Sequence, residues 1–508
     1  MSHYSRYIKA LKSSQVSYIT LIELLDEYET VSKSIREDVL ENSGGISITY
    51  QNGVRRTASI VIDNSLNKYD IDINKLWIYQ KIKISTGVEY FTDSGEVETF
   101  LVPQGTFYIT NPQDAYNPSN KTISFECIDK WARLNGQLGG TLQGTYSFPK
   151  NYTDKDGKKQ TYEYSMFDII RLLLSTPVKQ DYRVIAYKTK ILGIEAIDEE
   201  INNFLNDSGI DIHSIKYKEA IIITESSPLR GYYSTVNANP RITPKWELFY
   251  VDSERKIDNL EPILNNWFLT NDSMGNKRVL LPYSLTKDVG SSMADIIIEL
   301  AGIMGGLVYY NREGRFVLEP TQDDSNFFRD EDKEVVWSFD ENSNDGLLYD
   351  ISESYNWESI YNEIVAKGTI TGLGSYTVIV QNIDPSSPVC VDKIGVKTKV
   401  YSDMGIYDYK SLIDTSKGID ENKAKDIVKN NLLDRAKYFL KLNTMPHSTI
   451  NIQCACIPHL DVGQIISVTK KEITKKYLIN NISLPLDPTE SMSIEASAVF
   501  DVKDIKVF

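Results

Sequence analysis

The side chains able to do chemistry in this sequence are few, and their spacing suits little of it. Histidine occurs only as His3, His213, His447 and His459, and no two stand in the H-E-x-x-H spacing that puts a pair of imidazoles on one helix face for zinc. The nearest approach to a ligand set is C-A-C-I-P-H, where Cys454 and Cys456 share a strand face and His459 follows a proline. A closed zinc site takes four ligands and no fourth is local, so two buried structural thiols are the expected state. D-K-D-G-K-K-Q-T-Y-E, from Asp154 to Glu163, has the outline of a calcium loop, yet Lys155, Lys158 and Lys159 stand where oxygen donors belong. A hairpin turning at Asp156-Gly157 fits it better. G-L-G-S-Y-T, beginning at Gly372, lacks the third glycine and the following helix of a dinucleotide loop and reads as another hairpin turn. No Walker sequence and no G-x-S-x-G nucleophile elbow is present. Carboxylate pairs for glycoside hydrolysis are available in any acidic chain, but the densest cluster, Asp198, Glu199 and Glu200, falls on the polar face of a predicted helix. No catalytic, metal or cofactor site is expected.

Bulk properties narrow the class further. Fifty-five basic against seventy acidic side chains give a net charge of −15 over 508 residues. Such a balance argues against a surface that neutralises many phosphates. Four cysteines in this length do not make a disulfide scaffold, and a reduced compartment of synthesis is expected. M-S-H-Y-S-R-Y-I-K-A-L-K-S-S-Q has no apolar core of a signal peptide. The longest apolar run, A-D-I-I-I-E-L-A-G-I-M-G-G-L-V-Y-Y, is broken by glutamate and glycines, so no membrane span is read.

Alternating strands dominate the pattern. G-G-I-S-I-T-Y-Q-N-G-V-R-R-T-A-S-I-V-I-D-N turns at Asn52-Gly53, the strongest short hairpin signal, and alternation continues through K-L-W-I-Y-Q-K-I-K-I-S, T-F-L-V-P-Q-G-T-F-Y-I-T-N and N-K-T-I-S-F-E-C-I-D-K-W-A-R-L. Within this first domain, 1–148, a helix is predicted over Y-I-T-L-I-E-L-L-D-E-Y-E, because Leu21, Leu24 and Leu25 share a helical face. An inserted α/β region follows at 149–285. It contains a helix opening at Ser165 and an amphipathic one from Gly193 to Gly209. Residues 286–345 read as a helix capped by Ser292, a hairpin at Asn311 to Gly314, and an acidic linker. The starts S-M-F-D-I-I-R-L-L-L and S-M-A-D-I-I-I-E-L-A resemble one another, either by convergence of two capped helices or by duplication. Strands return over 346–508 around one packing helix, D-E-N-K-A-K-D-I-V-K-N-N-L-L-D-R-A-K-Y-F-L-K-L, with Ile427, Leu432 or Leu433, Ala436 and Leu440 on its buried face.

Towards the C-terminus, I-P-H-L-D-V-G-Q-I-I-S-V places Pro458 before a turn with Asp461-x-Gly463-x-x-Ile466, followed by Tyr477-Leu478-Ile479, Leu484-Pro485-Leu486 and a last strand containing Met492. This succession resembles the C-terminal part of baseplate hub proteins of tailed phages and related contractile injection particles. Asn362-x-Ile364-x-x-x-Gly368 after a tryptophan, and Asp384-Pro385-x-Ser387-Pro388, are similar to further elements of that family. Near the N-terminus, Gly105-x-Phe107-Tyr108-Ile109 and Asp129-Lys130-Trp131-x-x-Leu134 are similar to those of its first domain. The region 149–285 matches least.

The resemblance implies a mainly β fold with α+β insertions, in which two tube-like β-barrel or sandwich domains flank the middle region. It implies a homotrimer that forms a pseudo-sixfold ring, a symmetry adaptor between a hexameric tail tube and a trimeric spike or tail tip. Implied partners are the tail tube or a distal tail protein, the spike or tail-tip protein, the tape measure protein and other baseplate or wedge proteins. No stable nucleic-acid binding and no membrane span are implied, and the location is the virion tail after synthesis in the host cytoplasm. Structural roles are implied for Pro458, Asp461, Gly463, Tyr477 and Pro485 in the turn and final strands, and for Gly105, Phe107, Asp129 and Trp131 in the first domain. The competing readings are a receptor- or carbohydrate-binding tail tip, using the aromatics of G-Y-Y-S-T-V-N-A-N-P and N-N-W-F-L-T-N-D, and a cell-wall-degrading enzyme.

Overall fold

The computed structural model describes residues 3–153, 285–320 and 335–508 apart from short interruptions, together with short pieces between 157 and 279. Two compact units divide the chain. The first draws on both ends, Met1–Leu24, Val31–Lys130 and Asn326–Phe508; the second comprises Leu25–Thr30 and Trp131–Ser325.

In the first unit the N-terminal part supplies the helix α1 (His3–Leu11) and strands β1 (Ser17–Leu25), β2 (Val31–Ile35), β3 (Gly45–Thr49), β4 (Arg56–Asp63), β5 (Lys81–Phe91), β6 (Val97–Asn117) and β7 (Asn120–Asp129). Strands β8 (Tyr146–Phe148) to β19 (Phe316–Pro320) fall in the second unit. The C-terminal part returns with β20 (Val335–Asp340), β21 (Leu348–Ser354), β26 (Thr449–Cys454), β27 (Ile465–Lys470), β28 (Ile473–Pro485) and β29 (Met492–Ala498). These early and late strands make one 13-stranded sheet in the order β2-β1-β5-β6-β7-β4-β3-β28-β29-β26-β21, with β27 on β28 and β20 on β27. Alternation drives it: β4 buries Ala58, Ile60 and Ile62 and turns Thr57 and Ser59 outward.

This arrangement corrects the expectation of closed tube-like barrels. Among the described residues no sheet closes, and the order runs open from β2 to β21. Closure requires one edge of a sheet to find its own other edge. Here the free edge of β3 is taken instead by β28, a strand from the far end of the chain, over Thr49↔Asn481 to Gly45↔Pro485. The mainly β character stands.

A second correction concerns 18–29. The predicted helix is strand β1, which buries Ile22, Leu24 and Leu25 and runs beside β2 and β5. Ile19, Thr20 and Ile22 are β-branched and pack well on a pleated surface; the leucine spacing that suggested a helix face is also compatible with a strand. The helix lies earlier, as α1, where Tyr7, Ala10 and Leu11 are buried.

A smaller sheet also belongs to the first unit: β22 (Glu363–Ile370), β23 (Gly374–Asn382), β24 (Thr398–Tyr401), β25 (Ile406–Tyr407) and β30 (Ile505–Val507). The β22–β23 hairpin turns at Gly372, which has φ +80°. The expected packing helix forms over Glu421–Thr444 and lies on β22 and β23, burying Val428, Leu432, Ala436 and Leu440.

In the second unit the two similar helices, Met166–Ser175 and Met293–Met304, pack on one another. Equivalent positions are buried in both: Met166 and Met293, Ile169 and Ile296, Ile170 and Ile297, Leu173 and Leu300. Ser292 caps the second helix by accepting the Asp295 N–H at 3.3 Å. Trp131 is buried between Phe316, stacked at 6.2 Å, and the edge of Tyr310, on the hairpin that turns at Asn311 to Gly314. The β9 (Lys150–Thr153) to β10 (Lys159–Tyr162) hairpin contains Gly157 at φ +78°. Asp156, Ser165, the predicted helix of 193–209 apart from Asn202, and residues 323–334 of the expected linker lie outside the described residues; the rest of that expected linker is corrected, since Val335–Asp340 forms strand β20 on β27.

Replacing Trp131 by alanine removes the largest side chain of that aromatic cluster, so a loss of about 3–5 kcal/mol is expected. Chemical denaturation followed by fluorescence checks it.

Candidate functional site

Local backbone geometry on β28 builds the junction between the two ends of the chain. The first half of β28 pairs with β27, and this ladder extends to Ile479: Gly463 N–H donates to the Ile479 carbonyl at 2.9 Å and Ile479 N–H to the Gln464 carbonyl at 3.0 Å. From Asn481 onward the same edge pairs with β3. Between the two, the Asn480 carbonyl accepts Tyr50 N–H at 2.7 Å. The start of β27 and the end of β3 thus meet end to end against one strand.

Glycine is required where they meet. Gly463 has φ +80°, and a Cβ there would lie 2.7 Å from Tyr50 Cε2. The Tyr50 ring also carries the Arg55 guanidinium, 5.2 Å from its centroid. Next along, Arg56 is 1% exposed, and its Nη2 donates to both carboxylate oxygens of Asp461, at 2.6 and 2.5 Å. Asp461 also fixes its own turn, for its Oδ1 accepts Val462 N–H at 2.9 Å. Behind the pair, Asp129 Oδ2 accepts the N–H groups of Arg55 and Arg56 at 2.8 and 2.9 Å, which sets the start of β4. At Gly105, φ +152°, an added Cβ would sit 2.7 Å from the Phe107 ring and 3.2 Å from Arg56 Cδ, so the missing side chain leaves room for the arginine stem.

A second set of contacts runs to the Pro458 turn. Gln104 is the extra residue of a bulge between β5 and β6. The bulge turns it inward, where its Nε2 donates to Thr86 Oγ1 and to the Pro458 carbonyl, both at 2.8 Å. From α1, Tyr7 stacks on Phe100 at 4.1 Å and its hydroxyl meets His459 Nδ1 at 3.0 Å; Trp337 approaches the same imidazole edge-on at 5.2 Å. Tyr477 is buried on β28, and burial with the nearby Glu353 carboxylate pushes its phenol pKa up. Burial also raises Glu353, but hydrogen bonds from Ser448 and Lys475 outweigh it and hold the carboxyl below the usual range. Pro485 closes β28, opposite Gly45.

Gly105, Phe107, Asp129, Pro458, Asp461 and Gly463, expected from separate motifs, therefore converge on one junction, with Tyr477 and Pro485 along the shared strand. Trp131 belongs to the second unit. Sequence reading missed Tyr50, Arg55, Arg56 and Gln104. Its available signal was the Arg-Arg pair at the head of an alternating strand, where both cations are buried although strand alternation turns only one side chain inward.

Chemically the junction holds strands together. A cavity lined by Tyr18, Thr86, Gly87, Cys456, Pro458 and Leu486 measures about 10 Å³, room for one water, against the several hundred Å³ of a substrate pocket. Burial pushes the thiols of Cys127, Cys454 and Cys456 up, the last to about 12, so none is a nucleophile near neutral pH. Among the described residues no group of three histidine, cysteine, aspartate or glutamate side chains is placed to hold a metal ion, and no helix is long and apolar enough to cross a membrane. Most of the two aromatic segments proposed for carbohydrate lies outside the described residues.

No protein-family model matches the chain, and no curated protein matches it in sequence. Solved structures do show a distant likeness. A tail protein from Neisseria meningitidis MC58 is 9% identical, covering 96% of this chain and 98% of its own, with a TM-score of 0.46. A 43 kDa tail protein of prophage MuSo2 from Shewanella oneidensis is 10% identical over 95% and 98%, also at 0.46. A prophage tail protein from Listeria monocytogenes EGD-e is 10% identical over 96% and 95%, at 0.38. The likeness is to tail and baseplate proteins in general and to no particular member.

Three outcomes follow from the junction. Gly463→Val meets both the left-handed backbone and the Tyr50 ring and should cost about 3 kcal/mol; unchanged melting would refute the turn assignment. Asp461→Ala should also cost about 3 kcal/mol by leaving Arg56 buried without its carboxylate, whereas Arg56→Met with Asp461→Leu should recover most of that loss. Urea titrations of the three variants check both. Native protein should resist alkylation at Cys127, Cys454 and Cys456 near neutral pH and react at all three once unfolded, as read by peptide mass.

Proposed function

We propose that this chain is a structural component of a phage tail or phage-tail-like particle, a baseplate hub that adapts a hexameric tube to a trimeric spike or tail tip as a homotrimer. One observation carries the reading: the hub-like motifs around Gly105 and Asp129 and around Pro458 to Gly463, from opposite ends of the chain, lie along a single sheet and meet at the β3–β28 junction. Open strand edges support assembly. Among the described residues β21 pairs only with β26 and β24 only with β22, and unpaired edges of this kind invite pairing with another chain. Tube, spike, tape measure and wedge proteins are the partners of this reading, and 149–285 is its peripheral insertion. In this reading the role is structural and not enzymatic: Arg56 is engaged by Asp461 and Gln104 by the Pro458 carbonyl, contacts that hold strands together.

A ring that lets DNA pass must not hold it. With a net charge of −15, the assembled protein should bind duplex DNA negligibly at physiological salt. Mass measurement should give a trimer, alone or with the spike partner present, and a reconstruction of the particle should place three copies between tube and tip. A chain that stays monomeric with both neighbours present, or tight salt-sensitive DNA binding, overturns the proposal.

A further inference from the structure

Among the described residues no element covers one face of the smaller sheet, whose central Val365 and Ile379 are half-buried. The Glu421–Thr444 helix covers the side that carries Ile364, Ala366, Val378 and Val380. On the other side the register sets Val400 beside Val365 and Val365 beside Ile379. Phe508 N–H donates to the Ile379 carbonyl at 2.9 Å, which extends the row to the last residue. Val400 and Phe508, at its two ends, are 54% and 57% exposed. Two ammonium groups flank the row: exposed Lys367, and Lys506, whose Nζ is 4.4 Å from the Phe508 ring centroid. The nearest acid, Glu363, already accepts from the Thr398 hydroxyl and the Gln381 amide.

Elsewhere on the same unit the β5–β6 hairpin ends in the cross-strand pair Phe91 and Val97, 69% and 59% exposed. The α1 helix covers only one hairpin face, through the Arg6–Glu98 ion pair and the Tyr7–Phe100 stack. At the base of the tip Thr92 N–H donates to the Glu96 carbonyl at 2.8 Å and Glu96 N–H to Thr92 Oγ1 at 3.1 Å. The exposed Glu96 stands next to Val97 of the apolar pair.

The chain thus exposes, at the same time, an apolar knob with a carboxylate and an apolar row between two ammonium groups. Among the described residues neither patch is covered within one subunit, and the two complement each other in polarity and charge. The geometry points to the β5–β6 hairpin tip of one copy seated on the Val365–Ile379 row of the next. Because the two patches differ, the contact is heterologous, and its repetition closes a ring when the rotation allows. This rests on the ring reading above and names the contact that would make it.

The test uses the full-length chain with its spike partner, carrying Phe91→Asp or Val400→Asp, and reads mass by sedimentation. Both sites are exposed, so melting should be unchanged. Each variant alone should lose self-association by about tenfold or more. An equimolar mixture should recover heterodimers and no ring, since it retains one intact knob and one intact row. Glu96→Lys should weaken assembly, and Lys367→Glu with Lys506→Glu should restore it. Assembly of both variants like the unmodified chain, or a mixture that stays monomeric, overturns the contact. If particles lose Val400→Asp while masses in solution are unchanged, the row serves another tail protein and the second-copy occupant is wrong. A particle that shows a ring with these variants incorporated normally removes the contact and leaves the ring reading intact; single copies in the particle remove both.

Discussion

Everything in the first unit depends on one strand accepting two partners along a single edge. β28 gives its first half to β27 and its second half to β3, and the hand-over takes place within the few residues around Asn480. Two strand ends cannot meet there unless one of them carries no side chain. Gly463 supplies that, and the Tyr50 ring occupies the space. Removing the Arg56 cation from water is costly, so the Asp461 carboxylate must be close and well oriented, and the Asp129 contacts to the β4 backbone keep it so. Phe107 and Gly105 then follow from the need to seat the arginine stem.

The same constraint explains why the sheet stays open. Once β28 has occupied the β3 edge, the N-terminal strands have no edge left to meet β2, and the curvature of a barrel has nothing to close upon. Among the described residues, edges remain at β2, β20 and β21 of the large sheet and at β24, β25 and β30 of the smaller one, and open edges must be guarded or used. β2 is short and carries Lys33 on an exposed face, a common guard against unwanted pairing. The β24 side carries the exposed Val396 and Val400 instead. An edge that keeps exposed valines suits a surface used in assembly more than one kept solvated.

Local signals were legible in the sequence and long-range pairing was not. Asn52-Gly53, Gly372 and the Asn311 to Gly314 turn each predicted a hairpin that forms, because the required backbone conformation selects the residue at the site itself. The Glu421–Thr444 helix was legible from its apolar period, although Val428 rather than Ile427 is the buried member there. Pairing of β3 with β28 joins opposite ends of the chain, and either strand alone reads as half-buried β with no mark of its partner. The individual junction residues were legible only through their resemblance to hub motifs; nothing in the spacing brings Asp461 to Arg56. Leu21, Leu24 and Leu25 misled because a short apolar run satisfies a helical period and a strand equally well until neighbours decide.

Native-state hydrogen exchange across the first unit tests most directly whether the two ends of the chain form one cooperative scaffold. If they do, amides of β3 and of the Asn481–Pro485 half of β28 exchange together with the β26–β29 core, at one common opening free energy. Independent, earlier opening of the N-terminal strands, with β28 still protected, would contradict it.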